Sequence, residues 1–410
     1  MNKKFFANNM FLFIQTALVA FFIDIPALNQ IFISFVPSLS GRIMTSLYLF
    51  CGVILVVLAV LKLFLNPFIN KKLFLFTVFI AMGYFLTIVF APYSDLSMAN
   101  FGIYTLIALL MVLICQVDGK LLVVLIMTFP VIGILKVSSI FATNSYQYET
   151  ISMGLSYAFM PTVVSAFIYF FSYYKSETKK NKLRVIPILA VNSIYLFEIV
   201  QFGSRGVVFC FLSCFIYANC FYYDSINRKV SFKRYRIFLI SLVIVVVLQN
   251  IWTVLLTIEN LIESAGFKIN AVNKFFRLVN ESGRDVTNGR DVIFEATING
   301  IWQSPVWGHG YSTTMHNLGF VYPHNFLLQF FYDGGILLTF PVIYLVVRGI
   351  LNWYKFCSKD EFTVISALIF MSVPGALFSG NLWENNRLWL TIAALIVFSA
   401  KSWIISTKIE

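Results

Sequence analysis

The 410 residues are 59% hydrophobic and 18% aromatic but only 12% charged, which excludes a soluble domain whose surface must be solvated. The formal net charge of +12 is spread over short polar segments between apolar runs, without the clustered basic helix and interleaved aromatics that would suggest nucleic acid. The chain reads as a membrane protein, with the lipid bilayer as a partner and no nucleic acid.

A hydrocarbon core about 30 Å thick asks for about 20 apolar residues per helical span. Spans are expected near 6–24, 43–65, 72–91, 99–116, 120–139, 153–174, 185–201, 206–223, 236–257, 325–348, 362–380 and 388–406. The first is long, lacks an A-x-A-like cleavage site and continues into more hydrophobic sequence, so it reads as a retained span rather than a removable signal. Lys3 and Lys4 precede it. Further basic groups follow at 62–72, 120, 175–184, 228–236, 348–359 and 401–408, all in alternate connections, and they hold most of the 30 Lys and Arg residues. Positively charged loops stay on the cytoplasmic side, so an even number of spans puts both termini there. Arg42, Lys136, Arg205, Arg284, Arg290 and Arg387 are among those left for the outer side. Cys51, Cys115, Cys210, Cys214, Cys220 and Cys357 sit in spans or on the inner side, which argues against a disulfide framework. Cys210, Cys214 and Cys220 share one span with no histidine or carboxylate and read as small buried side chains.

One polar segment interrupts the rhythm. Residues 258–323 connect the ninth and tenth spans on the outer side, and loops of that length in compact proteins are usually functional or disordered. TIENLIESAGFKINAVNKFFRLVN has amphipathic helical character, Asn288-Gly289 signals a turn, and 291–302 reads as a second helix. SPVWGHGYS, with Pro305, Gly308 and Gly310, then makes an irregular elbow, so the segment is expected to be a folded cap. All three histidines fall at its end. Their spacing of 7 and 8 residues lacks the i, i+4 pairing or the cysteine partners of a zinc site, so no metal is expected. His309 and His316 read as exposed loop residues. His324 precedes a span at the outer boundary, where it is either a plain residue before a helix capped by Asn325 or a reactive imidazole. Arg205 interrupts two apolar runs at bilayer depth, where it either snorkels toward Glu198 or serves a site. Arg284 and Arg290 stand in the near-duplicate SGRDVTNGRD; they are solvated charges or, with Arg205, a diphosphate site, since the planar guanidinium fork makes paired bonds to phosphate oxygens.

Gly-Ser-Arg-Gly after an apolar run, Gly-Arg-Asp with an aromatic helix, Ser-Pro, Gly-x-Gly, and His-Asn ahead of Gly-Gly resemble, in that order, the O-antigen ligase and polymerase superfamily. The resemblance is most specific over 203–206 and 283–335 and looser over the spans. It implies an all-α polytopic protein of the bacterial inner membrane with about twelve transmembrane helices, one membrane domain over 1–410, and 258–323 as a large, partly helical periplasmic loop. It also implies that glycans on an undecaprenyl diphosphate carrier are joined at the outer face, with the lipid diphosphate as leaving group. Carried over by position, Arg205 matches the family's arginine between two central spans, Gly289-Arg290 its Gly-Arg element and His324-Asn325 its histidine. Arg284 is an extra copy, and His316-Asn317 is a decoy without a following apolar span. Catalysis is then expected from His324, Arg290 and Arg205, substrate binding from Arg284 and Asn325, with no metal and no cofactor. The chemistry fits: guanidinium groups stabilise charge on a departing diphosphate, and a histidine near neutrality can take the proton of an attacking sugar hydroxyl. The PHNFLLQFFYDGG ending looks more like the polymerases, which join repeat unit to repeat unit, than the ligases, which transfer the glycan to lipid A–core. A chain-length regulator protein is a further partner such a polymerase would have.

Two rival classes differ in where they need charge. A lipid-linked oligosaccharide flippase should carry polar groups along a central cavity, and Lys136 and Glu198 are the main mid-span candidates. A metal-dependent glycosyltransferase needs outer carboxylates as ligands or base; Asp24 is a lone candidate, while Asp285 and Asp291 follow arginines and read as charge partners.

Overall fold

The structure, a computed structural model, describes residues 3–35, 42–65, 70–90, 96–133, 147–202, 205–250, 289–378 and 380–399, with positions 253, 256, 257, 260, 261 and 264. It is mostly helical. In chain order the helices are α1 (Lys3–Phe35), α2 (Arg42–Leu65), α3 (Lys71–Phe90), α4 (Leu96–Ile114), α5 (Gly119–Thr128), α6 (Gln147–Ser172), α7 (Lys179–Phe202), α8 (Arg205–Cys220) and α9 (Arg234–Gln249). After the loop come α10 (Arg290–Gln303), the short α11 (Thr314–Leu318), α12 (Phe326–Phe356), α13 (Lys359–Ala376) and α14 (Asn386–Ser399).

Helix is present in each segment expected to span. Four helices are both long and apolar enough to cross a membrane, over Asn8–Ile33, Ile43–Lys62, Lys71–Phe90 and Phe326–Phe356. Shorter apolar helices include Gly102–Ile114, Gly206–Cys220 and Asn386–Ser399. In α3 the two faces are equally greasy: Leu73, Phe76, Ile80 and Tyr84 are buried, whereas Leu75, Phe79, Phe85 and Phe90 are exposed. A helix that is apolar all round, with one stripe facing out of the protein, suits hydrocarbon and not water. Several bounds differ from expectation; α7 begins earlier, at Lys179, and α12 runs on to Phe356. The first helix runs on to Phe35, and the helix beginning at Gly119 gives way to a 3-10 turn over Phe129–Gly133.

An unexpected element follows α8. Phe221–Asp224 (β1) and Lys229–Phe232 (β2) form an antiparallel hairpin with Phe221 opposite Phe232 and Asp224 opposite Lys229. The Asp224 carboxylate closes its turn by accepting the amides of Ile226 and Asn227 at 3.0 and 3.1 Å. The run of apolar residues into 221–223 hides this hairpin in the sequence, because a strand of four residues has too few alternations to stand out from the end of a span.

The centre of the bundle is α14, buried at every position from Asn386 to Ile396 and packed by α12, α4, α13 and α3. Its two ends differ in chemistry. At one, Lys62 donates to the Ile114 carbonyl, Lys72 to that of Ser399, and Lys120 pairs with Glu177. At the other, Thr105 donates to the Trp383 carbonyl, and Trp383 stacks on Tyr311 at 4.4 Å and meets Tyr84 edge-on. Tyr311 belongs to the elbow, so the described part of the cap is seated on this second end.

Candidate functional site

The site is built where α12 begins. Asn325 is the helix N-cap, its side-chain oxygen accepting the amides of Leu327 and Leu328 at 2.9 and 3.2 Å, while its amide nitrogen reaches the Leu377 carbonyl at 3.4 Å. The capping alternative raised by the sequence is therefore met. His324, immediately before it, has a φ of +55°, a left-handed conformation that costs a non-glycine residue about 1–2 kcal/mol. Tyr322 meets its ring edge-on at 4.5 Å. The imidazole is half-buried, and its Nδ1 is enclosed with no hydrogen-bond partner among the described residues. Burial, and secondarily the positive charge of Arg290, lower its pKa below the ordinary 6.5. Both causes favour the neutral form that a proton acceptor needs.

Arg290 is the first residue of α10, preceded by Gly289 in the left-handed region at φ +73°. A cation is electrostatically misplaced at a helix N-terminus, where the macrodipole and free amides favour anions. Guanidinium and helix end together make a positive spot. Gly300 of α10 lies against Tyr332 of α12, where an added Cβ would come within 2.5 Å of the ring. The positive charge of Arg290 acts on His324, which places the two helix starts near each other.

Arg205 opens α8 in the same manner. Its side chain lies outside the described residues, but its backbone is placed by Gly206, where a Cβ would meet the Tyr157 hydroxyl and lie 3.8 Å from Phe378. Phe209 packs edge-on against Phe378 at 5.1 Å. Phe378 follows the Leu377 whose carbonyl Asn325 reaches, so the starts of α8 and α12 share the α13–α14 turn as a neighbour. Arg284 lies outside the described residues, as do Gly203, Ser204, Asp285, Lys136 and most of the amphipathic stretch before Asn288.

The elbow is stitched into α12. At Gly335 the helix breaks, with φ +57° and ψ −159°. The carbonyls of Tyr332 and Asp333, freed by the break, accept the amides of His309 and Gly310 at 2.9 Å each. In return the amides of Ile336 and Leu337 donate to Pro305 and Val306 at 2.9 and 3.2 Å. Four backbone groups that hydrocarbon could not satisfy are exchanged between the two segments. His309, expected to be exposed, is instead half-buried: its ring stacks on Tyr332 at 4.5 Å and its Nε2 lies 2.8 Å from the Gly300 carbonyl. Only His316 keeps the exposed position read for it.

Three polar residues beside this site were not singled out for it. Asp333 is fully buried next to the break and accepts from the Trp383 indole and, at 3.4 Å, the Ser312 amide. Arg387, expected near the outer face, is buried in the bundle and donates to the carbonyls of Ile23, Tyr157 and Ala158. Its charge acts on Asp24, which is fully buried in α1. Glu384 stands in the α13–α14 turn. The signal for all three was a charge inside or beside an apolar run, which marks function in a membrane but does not say what faces it. Among the described residues no group of three or more His, Cys, Asp or Glu side chains comes together.

No curated protein matches the chain. Residues 190–343 match the family model described as O-antigen ligase, less than half of the chain, from within α7 into α12. The matched stretch contains Arg205, Arg284, Arg290, His324 and Asn325. Family members are glycosyltransferase-like enzymes acting on lipid-linked glycans in a membrane. Over this segment the chain is similar to the O-antigen ligase/polymerase superfamily.

Proposed function

We propose that the protein is a repeat-unit polymerase of the O-antigen type, a glycosyltransferase that joins undecaprenyl-diphosphate-linked oligosaccharides at the outer face of the bacterial inner membrane. In this reading the chain crosses the bilayer twelve times with both termini in the cytoplasm, and the cap is periplasmic. The observation that carries it is a half-buried histidine, its pKa lowered by burial and by the arginine that begins a nearby helix. A second arginine-led helix start, that of α8, borders the same turn.

The reaction divides between these groups without a metal ion. The acceptor hydroxyl oxygen forms the new bond to the anomeric carbon of the donor glycan, and its proton passes to the His324 imidazole. The bond from that carbon to the diphosphate oxygen breaks, and the electron pair leaves with undecaprenyl diphosphate. Arg290 and Arg205, with Arg284 of the cap, hold the growing negative charge through paired, charge-assisted bonds, aided by the positive ends of α10 and α8. Asn325 positions the histidine by capping α12 and binds substrate only through what its cap leaves free. The family description favours one other reading, a ligase that transfers the finished glycan to lipid A–core.

Purified protein supplied with a lipid-linked repeat unit alone tests this. A ladder of lengthening products from the wild type, reduced about 10²–10⁴-fold by His324→Ala and strongly by Arg290→Ala and Arg205→Lys, is expected. Products only after lipid A–core is added would establish the ligase. Transport with no new glycosidic bond, or full activity in His324→Ala, would overturn both.

A further inference from the structure

Behind the start of α8 the bundle forms an open chamber of about 410 Å³, within the usual range of about 300–1,000 Å³ for ligand pockets. Its walls come from α1, α2, α4, α6, α13, the α13–α14 turn and the start of α14. Tyr157, against which Gly206 packs, lines it, as do Gly375, Ala376 and Gly380 around the Leu377 carbonyl that Asn325 reaches. The chamber therefore adjoins the proposed reaction site through a shared wall.

Most of its polar lining is already committed to the fold. Arg387 is spent on three backbone carbonyls, Asn386 donates to Phe22 and to the Tyr48 hydroxyl, and Asn381 accepts from Gln329 and the Trp383 amide. Glu384 is the exception: it lines the chamber at its solvent-exposed mouth, and its side chain makes no hydrogen bond or ion pair among the described residues. Beside it stand the rings of Tyr48 and Tyr104, edge to face at 4.5 Å. A carboxylate with accepting oxygens to spare next to aromatic faces suits a ligand that is rich in hydroxyl groups, uncharged at that point, and apolar on its ring faces. A phosphate or an acidic sugar would be repelled by Glu384, and a purely apolar lipid tail would strand it.

We infer that this chamber binds a pyranose of the acceptor glycan, with Glu384 accepting its hydroxyls and Tyr104 covering a ring face. The inference rests on the proposed glycosyl transfer and names where the acceptor is held for it. Glu384 is a binding residue, distinct from the proton acceptor His324.

The test uses the full chain in detergent micelles and, as probe, the oligosaccharide released by mild acid from the host's own lipid-linked repeat unit, titrated by calorimetry. Wild type and His324→Ala are expected to bind it alike, and Glu384→Gln to bind at least tenfold more weakly while melting at the wild-type temperature. Should Glu384→Gln fold poorly, Gly154→Leu serves instead. Gly154 lines the chamber, a Cβ there meets nothing within 4 Å, and the added side chain should fill the space and abolish binding. Saturable binding of equal strength in wild type, Glu384→Gln and Gly154→Leu would overturn the inference, as would no binding by the wild type. Full polymerisation by His324→Ala would instead sink the catalytic reading and leave this binding result standing.

Discussion

His324 is held below its ordinary pKa of 6.5 first by burial and then by the charge of Arg290, and both act against protonation. A base works in its neutral form, so activity should be present above the pKa of the folded protein and lost as pH falls through it. The acid limb of a kcat/KM profile is therefore expected below pH 6.5. Removing the guanidinium lifts one of the two restraints, so Arg290→Gln should move that limb toward higher pH besides lowering the rate. Arg290→Lys keeps a charge there and should leave the limb closer to the wild-type position. A pH–rate series on the three proteins decides it: an acid limb that stays in place in Arg290→Gln would mean that another group limits the reaction. At this scale the sequence placed His324 at a helix start capped by Asn325, but not its left-handed backbone. A backbone angle of that kind is not something a spacing rule can weigh.

The break in α12 explains why two glycine-bearing motifs far apart in the chain belong together. Asp333-Gly334-Gly335 looks like a turn lodged in an apolar run, and SPVWGHG looks like a loop. Each is half of one backbone exchange. Gly335 sits at φ +57° with ψ −159°, a region open essentially to glycine alone, and a Cβ there would lie 2.4 Å from the Val306 carbonyl oxygen. Gly308 is closed in reciprocally, its Cβ position 2.5 Å from the Asp333 carbonyl oxygen. Gly335→Ala should thus cost the backbone strain of about 1–3 kcal/mol and a steric clash in addition, detaching the elbow from α12. Gly319→Ala is the contrast: its φ is +77° but nothing lies within 4 Å, so it carries the left-handed penalty of about 1–2 kcal/mol without a clash. Thermal melting in detergent should rank Gly335→Ala well below Gly319→Ala, with activity lost in the first and largely kept in the second. Equal melting of the two would show that the exchange does not hold the cap. Element existence was legible here because apolar length announces a helix; the stitch was not, because a backbone bond between residues 305–310 and 332–337 leaves no mark in side-chain pattern.

Across the whole molecule, what the sequence conveys best is which end of the bundle a residue belongs to. Lys62, Lys72, Lys120 and Lys359, all read as inner, gather at the end opposite the cap, where Lys359 lies over the Tyr173 ring at 4.6 Å. What it conveys least is depth. Arg387 and Asp24 were counted as outer residues, yet both are buried; Arg387 sits among helices by donating to the Ile23 carbonyl, more than 300 residues away in the chain, a partner no local pattern announces. Orientation remains a matter of the bilayer, and the positive-inside rule gives it a definite sign. The β1–β2 hairpin, with Lys229 and Lys233 around it, should face the cytoplasm, and α11 the periplasm. All six native cysteines are buried, so engineered thiols can be read against a low background. Ile226 at the hairpin tip is 93% exposed and Met315 on α11 is 52% exposed. With a membrane-impermeant maleimide on intact spheroplasts, Met315→Cys is expected to react at once and Ile226→Cys only after permeabilisation. Reaction of both from outside would deny the bundle a fixed crossing, and the reverse pattern would put His324 on the side where no lipid-linked glycan awaits it.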